Sequence, residues 1–394
     1  MLKRFHQQQQ AEDLNEKVLT KSDVEDLKNE IQVKINSAWN EAEREPKIQP
    51  NSDYELADIY KKHFSKIICP SDLKSEKRLV DAISDGLRQS MKKYDNLIIM
   101  GQDVAGYGGV FKITDGFVNE FGEDRVRNTP ICESAIVSAA LGLSINGHKA
   151  VVEMQFADFV TCGFNAIVNN LAKIHYRWGE NADVVVRMPT GAGVGAGPFH
   201  SQSNEAWFTH TPGLKVVYPA FPADAKGLLN SSIDDPNPVM FFEHKALYRS
   251  ISEPVSDDYF MIEIGKAKLI AEGNDVSIIS YGMGVHWALE VLKNNSDISA
   301  DLIDLRTLNP LDKETIFTSV KKTGKAIVLH EDCLMGGFGA DVSSIISEEC
   351  FENLDAPVKR SASLDTPVPF ADPLEAEFLA KSSFESQLKE LLSY

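Results

Sequence analysis

The sequence predicts an α/β fold built on a mainly parallel, doubly wound sheet, and three observations carry that prediction. Between about residues 74 and 249, short apolar runs alternate with segments whose apolar residues recur at spacings of three and four. Such alternation marks a parallel sheet covered by helices on both faces. Polar or glycine-rich stretches stand directly after several of the apolar runs, at Gly101-Gln102-Asp103, at Gln155-Phe156 and from Gly191 onward; ligands gather at the carboxyl ends of strands in sheets of this kind. From Val276 to Leu364 a second, smaller set of strand and helix patterns follows. The organisation read from this is a helical arm over 1–73, a first α/β domain over 74–255 and a second over 256–394.

Residues 1–73 differ in texture from the rest. After a short glutamine run, Val24, Leu27, Ile31, Ile35, Ala38 and Ala42 make one amphipathic helix, entered at Ser22 with Glu25 as a capping box and stopped at Pro46. Its single apolar stripe has little sequence around it to form a core, so it reads as an arm that packs on something else. A second short helix is expected over 54–64, before the break at Cys69-Pro70-Ser71.

In the first domain, Val80, Ile83, Leu87 and Met91 line one side of a helix, and Leu97–Gly101 is a buried strand. Later strands are expected over 149–154, 183–188, 215–218 and 239–243. One long helix over 157–178 is expected to bury Phe164, Ile167, Leu171 and Ile174. Residues 250–272 read as a linker and edge segment. The second domain takes strands over 276–281, 300–305, 326–330 and 358–364, then an irregular proline-rich run, DTPVPFADPLEAEFL, and a last helix.

The chain has 394 residues, 43% hydrophobic and 25% charged, enough apolar material for two or three domains with real cores. A formal net charge of −18 disfavours nucleic acid and anionic membranes as partners. Cys69, Cys132, Cys162, Cys333 and Cys350 stand far apart with no CxxC pair, which points to a reducing cytoplasm and to neither a zinc knuckle nor a disulfide framework. The start, MLKRFHQQQQAEDLN, has no apolar core for a signal peptide, and no run approaches the ~18 apolar residues of a membrane span.

The stretch Asn128-Thr129-Pro130-Ile131-Cys132-Glu133-Ser134 hands a strand over to a helix of small residues. Pro130 pushes Thr129 to extended geometry, and Glu133 suits a first helical turn, so Glu133 reads as a capping acid. Apolar Ile131, Ile136, Val137 and Leu141, with small Ala139, Ala140 and Gly142, also fit a catalytic acid approached by a flat ligand. Pattern alone leaves both readings open.

The run PTGAGVGAGPFHSQ matches GxGxxA at Gly191, Gly193 and Ala196, but its context is wrong for a dinucleotide loop. Pro198 interrupts it, and the next strand, KVVYP, ends in proline instead of carrying an acid ~20 residues on. The loop offers mobility and close backbone approach, and His200 at its end is a candidate site residue or a plain loop histidine. In His330-Glu331-Asp332-Cys333, neighbours on an extended strand face opposite ways and cannot close on one ion. Ser201 beside His200 makes no triad, since sequence neighbours rarely meet as nucleophile and base and no GxSxG elbow occurs.

In their order and spacing, GQDVAGYGGVFKIT, NTPICESAIVSAALGLSINGHKAVVEMQFADF, GPFHSQSNEAWFTHTPGLKVVYP and NPVMFFEHKALY resemble the β subunit of thiamine-diphosphate-dependent 2-oxo acid dehydrogenases. The resemblance covers about residues 74 to 394, with transketolase and deoxyxylulose-phosphate synthase as wider kin. FFEHKALYR and NLAKIHYRWGE are more similar to the branched-chain enzyme than to the pyruvate enzyme. It implies a transketolase-like pyrimidine-binding domain followed by a transketolase C-terminal-like domain. The implied reaction is oxidative decarboxylation of a 2-oxo acid, 2-oxoisovalerate or pyruvate, with acyl transfer to lipoamide.

By the same resemblance, Glu133 is the acid that bonds the aminopyrimidine ring nitrogen of thiamine diphosphate and promotes its imino tautomer. Gln155 and Phe159 lie beside the pyrimidine, Phe159 keeping the stacking face and losing the hydroxyl of the tyrosine found in the branched-chain enzyme. His200 faces substrate and the incoming lipoyl group. A structural potassium ion is implied between the carbonyls of Ala182, Val184 and Val185 and the segment Ser232, Asp235, Asn237, although Asp235 in DDPNP also reads as an ordinary turn residue. The arm resembles the C-terminal tail of the α subunit, as in a fused α/β chain. The family's α half carries the GDG motif that holds magnesium and the diphosphate; no GDG occurs in this sequence, so those ligands are expected on an α subunit or α half. The other implied partners are a lipoyl-bearing acyltransferase core, a 2-oxo acid and a second copy of the chain. Two alternatives remain: a transketolase-like or deoxyxylulose-phosphate synthase-like fragment, and a non-catalytic assembly subunit, against which the presence of Glu133, Gln155 and His200 stands.

Overall fold

The computed structural model describes residues 18–394, so the glutamine run and the first part of the arm lie outside the described residues. The chain divides into one unit up to Leu56 and another from Ala57 to Tyr394.

In the first unit the helix is Lys21–Arg44, and it starts earlier than expected. Thr20 Oγ1 accepts from Asp23 N at 3.2 Å while Asp23 Oδ2 accepts from Thr20 N at 2.7 Å, so Thr20 and Asp23 form the capping box in place of Ser22 and Glu25. A TxxD box closes in the same reciprocal way, and the one further upstream starts the helix two residues earlier. None of the helix's residues is buried, and Leu27, Ile31 and Ile35 stay exposed. The second helix is Ser52–Ala57, not 54–64, and begins where Asn51 Oδ1 accepts from Tyr54 N at 3.1 Å. Residues beyond it run without helix, Tyr60 donating its hydroxyl to Leu214 O at 2.8 Å.

Among the described residues the second unit carries all the strands: β1 Lys74–Arg78, β2 Leu97–Gly101, β3 Val126–Asn128, β4 Lys149–Glu153, β5 Val184–Thr190, β6 Lys215–Val217, β7 Val239–His244, β8 Ser252–Ser256, β9 Lys268–Ala271, β10 Val276–Ser280, β11 Ala300–Asp304, β12 Thr307–Asn309, β13 Ala326–Cys333 and β14 Lys359–Ser363. Seven of them form one sheet in the order β12-β6-β7-β5-β4-β2-β3, parallel except for β12. A five-stranded sheet, β14-β13-β10-β11-β9, is parallel except for β9. Residues 250–272, expected as linker and edge, hold β8 and β9. β8 pairs antiparallel with β1, and both are short, polar strands without the alternation that would reveal them; β9, KLIA, is a short strand at the edge of the smaller sheet.

Helices cover both faces of the larger sheet. The face with Leu79–Lys93 buries Val80, Ile83, Leu87 and Met91, the expected stripe, together with Leu79. This helix crosses Pro222–Asp234 at Gly86, where a β-carbon would come 3.2 Å from Lys226 Cγ and Asn230 Oδ1. The opposite face takes Glu133–Ile145 and the segment expected as one long helix over 157–178. That segment is broken into a 3₁₀ turn, Ala157–Gly163, a π turn, Ala166–Leu171, and a short α-helix, Ile174–Trp178. Ile167 and Leu171 are buried as expected, whereas Phe164 and Ile174 are only partly so. The 3₁₀ turn ends at a close packing contact: a β-carbon on Gly163 would lie 3.3 Å from Glu133 O. The core is continuous between the sheets, running from Val152 and Val186 through Tyr218 and Phe242 to Ile279, Ile303 and Val328.

Candidate active site

Strands β2, β4 and β5 lie side by side and parallel, so their carboxyl ends bring Gln102-Asp103, Gln155-Phe156 and the loop from Gly191 to one rim. Glu133 joins them as the first residue of Glu133–Ile145. The N-cap is Cys132, which makes no side-chain capping bond, and Glu133, 7% exposed, accepts at Oε1 from Gln102 Nε2 at 3.0 Å. The acid is thus tied to a strand end across the rim. Ile131 does not share its apolar surroundings, as the sequence led us to expect; it stands 83% exposed. The irregular Pro130–Cys132 connection turns it outward, and only Ile136, Val137 and Ala140 of the helix are buried apolar residues.

The other site residues predicted from sequence form a second group on the same rim. Gln155 Nε2 donates to Asp103 Oδ2 at 3.1 Å, with Asp103 in the left-handed region at φ 60°. The Phe156 ring is central: it meets His200 edge to face at 4.8 Å, Phe159 at 5.7 Å and Phe111 at 5.8 Å between centroids. Phe159 in turn meets His200 at 5.4 Å. Aromatic edges and faces in such contacts fix ring orientation and exclude water. Lys245 Nζ lies 5.8 Å from the Phe156 centroid and donates to Gly191 O. Burial brings its ammonium down to about 8, against the opposing pull of Glu331, Asp158 and Glu375. Gln102 lay in a stretch the sequence placed on the rim, but its bond to Glu133 was not foreseen; sequence reading missed Phe111 and Lys245, the latter hidden in a run, FFEHKALY, that reads as strand and turn.

The glycine loop is held rather than free. Ala192 N donates to Glu331 Oε1 at 2.7 Å, Gly193 N to Glu375 Oε1 at 2.9 Å and Gly195 N to Glu375 Oε2 at 3.1 Å. The amides that a phosphate would need are filled by the protein's own carboxylates. Glu331 also accepts from His244 Nε2 at 2.7 Å and from Ser203 Oγ at 3.1 Å. Burial pushes the Glu331 carboxyl up, but His244, the Ala192 amide and the Lys245 ammonium outweigh it and hold it below the usual range. His330 faces the other way, against Gly337, Gly339 and Tyr281, and burial brings its ring down to about 4.

Beneath the rim lies a buried ion cluster. Arg187 of β5 donates to Glu153 Oε2 of β4 at 2.6 Å and, through Nε and Nη2, to both oxygens of Glu243 of β7 at 2.8 Å. Tyr248 adds a bond to Glu243 Oε2 at 2.6 Å. Gly109 presses on this cluster, since a β-carbon there would lie 2.8 Å from Glu153 Oε1. The Gly106–Gly109 turn is thereby seated on the strand ends.

The residues named for a potassium ion meet at one turn but are already engaged. Asp235 Oδ2 accepts from the Lys215 ammonium, and Asp235 Oδ1 from Asn237 N and Nδ2 at 2.9 and 2.8 Å. Asn237 Oδ1 accepts from Lys61 N at 2.8 Å, and Ser232 Oγ donates to Leu228 O at 2.7 Å. Ala182, Val184 and Val185 are buried, and Ala182 O accepts from Val184 N at 2.7 Å. The one carboxylate in the set is neutralised by a lysine, so a cation would find backbone carbonyls but no free charged ligand.

A large parallel sheet with its polar rim, followed by a smaller sheet that shares its core, defines a transketolase-type α/β protein. Residues 75–250 match the family described as "Transketolase, pyrimidine binding domain" and residues 265–383 that described as "Transketolase, C-terminal domain". A solved structure described as a split gene transketolase, inactive beta4 tetramer, shares the fold with a TM-score of 0.66 at 23% identity, over 80% of this chain and 98% of that one. The 2-oxoisovalerate dehydrogenase subunit beta of Bacillus subtilis is 43% identical over 80% of this chain and 98% of its own length. The pyruvate dehydrogenase E1 component subunit beta of the same organism is 44% identical over 74% of this chain and 91% of its own. An Arabidopsis thaliana protein, 2-oxoisovalerate dehydrogenase subunit beta 2, mitochondrial, is 45% identical over 74% and 82%. The chain belongs to the family of 2-oxo acid dehydrogenase E1 β subunits. Among the described residues, no helix is long and apolar enough to cross a membrane.

Proposed function

We propose that this chain is the β moiety of a 2-oxo acid dehydrogenase, supplying the pyrimidine half of a thiamine diphosphate site for oxidative decarboxylation and acyl transfer to lipoamide. The observation that carries the reading is the buried Glu133 carboxyl, fixed at one oxygen by Gln102, on the rim that bears Gln155, Phe156, Phe159 and His200. The donor set fits an aminopyrimidine: a carboxyl for a ring nitrogen, an amide beside it and flat aromatic walls. When bound, thiamine diphosphate supplies the carbon nucleophile and electron sink that decarboxylation requires. Glu133 holds and returns a proton at Oε2, the oxygen that Gln102 leaves free. Phe156 and Phe159 exclude water, and His200 donates from its ring to a substrate carboxylate or to the incoming acyl acceptor.

The diphosphate half belongs to an α subunit or α half, because this sequence has no GDG. Exposed Ile131, Phe199 and Tyr107 around the rim, and the exposed small face of Ser134, Ala135, Ser138, Ala139 and Gly142, favour a protein partner there. Magnesium would be held by that partner, and a lipoyl-bearing acyltransferase core would receive the acyl group. Alone, the chain is expected to self-associate in a cytoplasmic setting. A potassium ion at Ala182, Val184 and Val185 would be held by carbonyls only, and a thermal unfolding midpoint that is the same in potassium and choline salts would remove it from the reading. The sequence resemblance at FFEHKALYR favours 2-oxoisovalerate over pyruvate.

The test is decarboxylation of 2-oxoisovalerate and of pyruvate by the purified chain, with and without an α chain, alongside titration with thiamine diphosphate and magnesium. Turnover that needs the α chain and prefers the branched acid is expected. Full activity of this chain alone would show that it holds the diphosphate site itself, and ketol transfer between sugars would favour the transketolase-like alternative.

A further inference from the structure

The proline-rich segment that follows β14 is not idle connection, because the glycine loop lies on it. A β-carbon on Gly197 would come 2.2 Å from Phe370 Cδ2, and one on Gly195 would come 3.6 Å from Asp372 Oδ1. Ala192 packs with Val368 and Phe378 in one small apolar cluster. Within this contact Glu375, only 5% exposed, spends both oxygens on the loop, accepting from Gly193 N at 2.9 Å and Gly195 N at 3.1 Å. Gly193 and Gly195 have φ of 80° and 66°, a left-handed course that turns alternate amides to one side and makes a concave anion seat. The seat is filled by a carboxylate from the second half of the chain.

His200 stands downstream of that seat. The far side of its segment is also tied: Gln202 N and Nε2 donate to Asp158 Oδ1 at 3.2 and 2.9 Å, and Ser203 Oγ donates to Glu331. Between the two ties lies the short stretch that carries the His200 ring to Phe156 and Phe159. We propose that Glu375 is a positioning residue for His200: its carboxylate clamps the Gly193 and Gly195 amides and so sets where the imidazole stands on the rim. This extends the function proposed above, since it assumes that His200 meets substrate or acceptor there. Glu375 touches neither. It acts through the loop, and two charge-assisted bonds give it the hold.

The experiment compares Glu375→Ala and Glu375→Gln with wild type as full chains. By hydrogen exchange, the peptide spanning 190–203 should exchange at least tenfold faster in Glu375→Ala, and less so in Glu375→Gln, which keeps one acceptor oxygen. With an α chain added, transfer to a lipoyl domain should fall about tenfold or more while thiamine diphosphate affinity stays within about twofold, with partial rescue in Glu375→Gln. Unchanged exchange overturns the clamp. Faster exchange with wild-type transfer overturns the positioning role. If Glu375→Ala does not fold, the same two readouts on Glu375→Gln decide. If the wild-type assembly turns over no 2-oxo acid, the function proposed above falls; the clamp is then judged by exchange and by the His200 NMR signal, which must move in the variant for the proposal to stand.

Discussion

His244 Nε2 lies 2.7 Å from Glu331 Oε2, and the two side chains are 1% and 5% exposed. The pair joins the end of β7 in the larger sheet to β13 in the smaller, and the same carboxylate holds Ala192 and Ser203. A buried hydrogen-bonded pair of this kind contributes through its geometry, because either polar partner left unpaired inside the protein is costly.

Gly191 is what lets the pair form. It has φ 92°, and a β-carbon there would come 2.1 Å from His244 Nε2. Gly191→Ala should therefore displace the imidazole and destabilise the protein by about 3 kcal/mol, combining backbone strain with a disrupted buried pair. Urea unfolding checks this; a loss below about 0.5 kcal/mol would show that the pair does not depend on the close approach.

Glu133→Gln keeps the size of the side chain and an acceptor for Gln102 but cannot carry a proton. In the presence of an α chain it should slow turnover by about 100-fold or more with folding intact. Single-turnover kinetics with matched circular dichroism is the measurement, and near-normal turnover would sink the role given to Glu133.

Glu205 is fully buried, and its Oε1 accepts from Tyr281 at 2.8 Å. Its Oε2 has no hydrogen-bond partner among the described residues. Burial, with Asp332 nearby, pushes its carboxyl up to about 8. A carboxyl raised on folding binds its proton more tightly in the native state, so it costs stability as pH rises from the unfolded value of about 4.3 through the folded one. Asp332, pushed up to about 7 chiefly by burial, adds to the slope. Glu205→Gln should match wild type near pH 4 and be more stable by at least about 2 kcal/mol near pH 8.5. Denaturation at both pH values tests the sign; equal stability at the higher pH contradicts it.

Arg187 is 0% exposed between Glu153 and Glu243. Arg187→Met leaves both carboxylates buried without their cation and should cost about 3–5 kcal/mol, with Arg187→Lys a poor rescue because it loses the forked geometry. Chemical denaturation of both variants checks this, or the yield of soluble protein if neither folds.

Much of the larger sheet was legible because its strands are continuous apolar runs, and Leu97–Gly101 is buried at every position. The strand ends bring Gln102, Gln155 and Phe156 to one rim as expected, since in a parallel sheet neighbouring strands end together. The 157–178 segment misled because a helical period persists through 3₁₀ and π turns, and the close approach of Gly163 to Glu133 O is a tertiary contact that no local pattern carries. Asp235 shows a different limit: a motif names residues but not the Lys215 ammonium that reaches them from another strand.

By itself the sequence determined the α/β class, the order of its two sheets and the acid at the head of Glu133–Ile145, because periodicity and local turn chemistry act over a few neighbours. Only the tertiary structure decided whom Glu133 bonds, that His200 stands on Phe156, and that Glu331 and Glu375 hold the loop beside them. Those partners are 31, 44, 139 and 180 or more residues apart in the chain for Gln102–Glu133, Phe156–His200, Ala192–Glu331 and the Glu375 bonds. Contacts at such separations are selected by how the sheets pack, and no local pattern carries them.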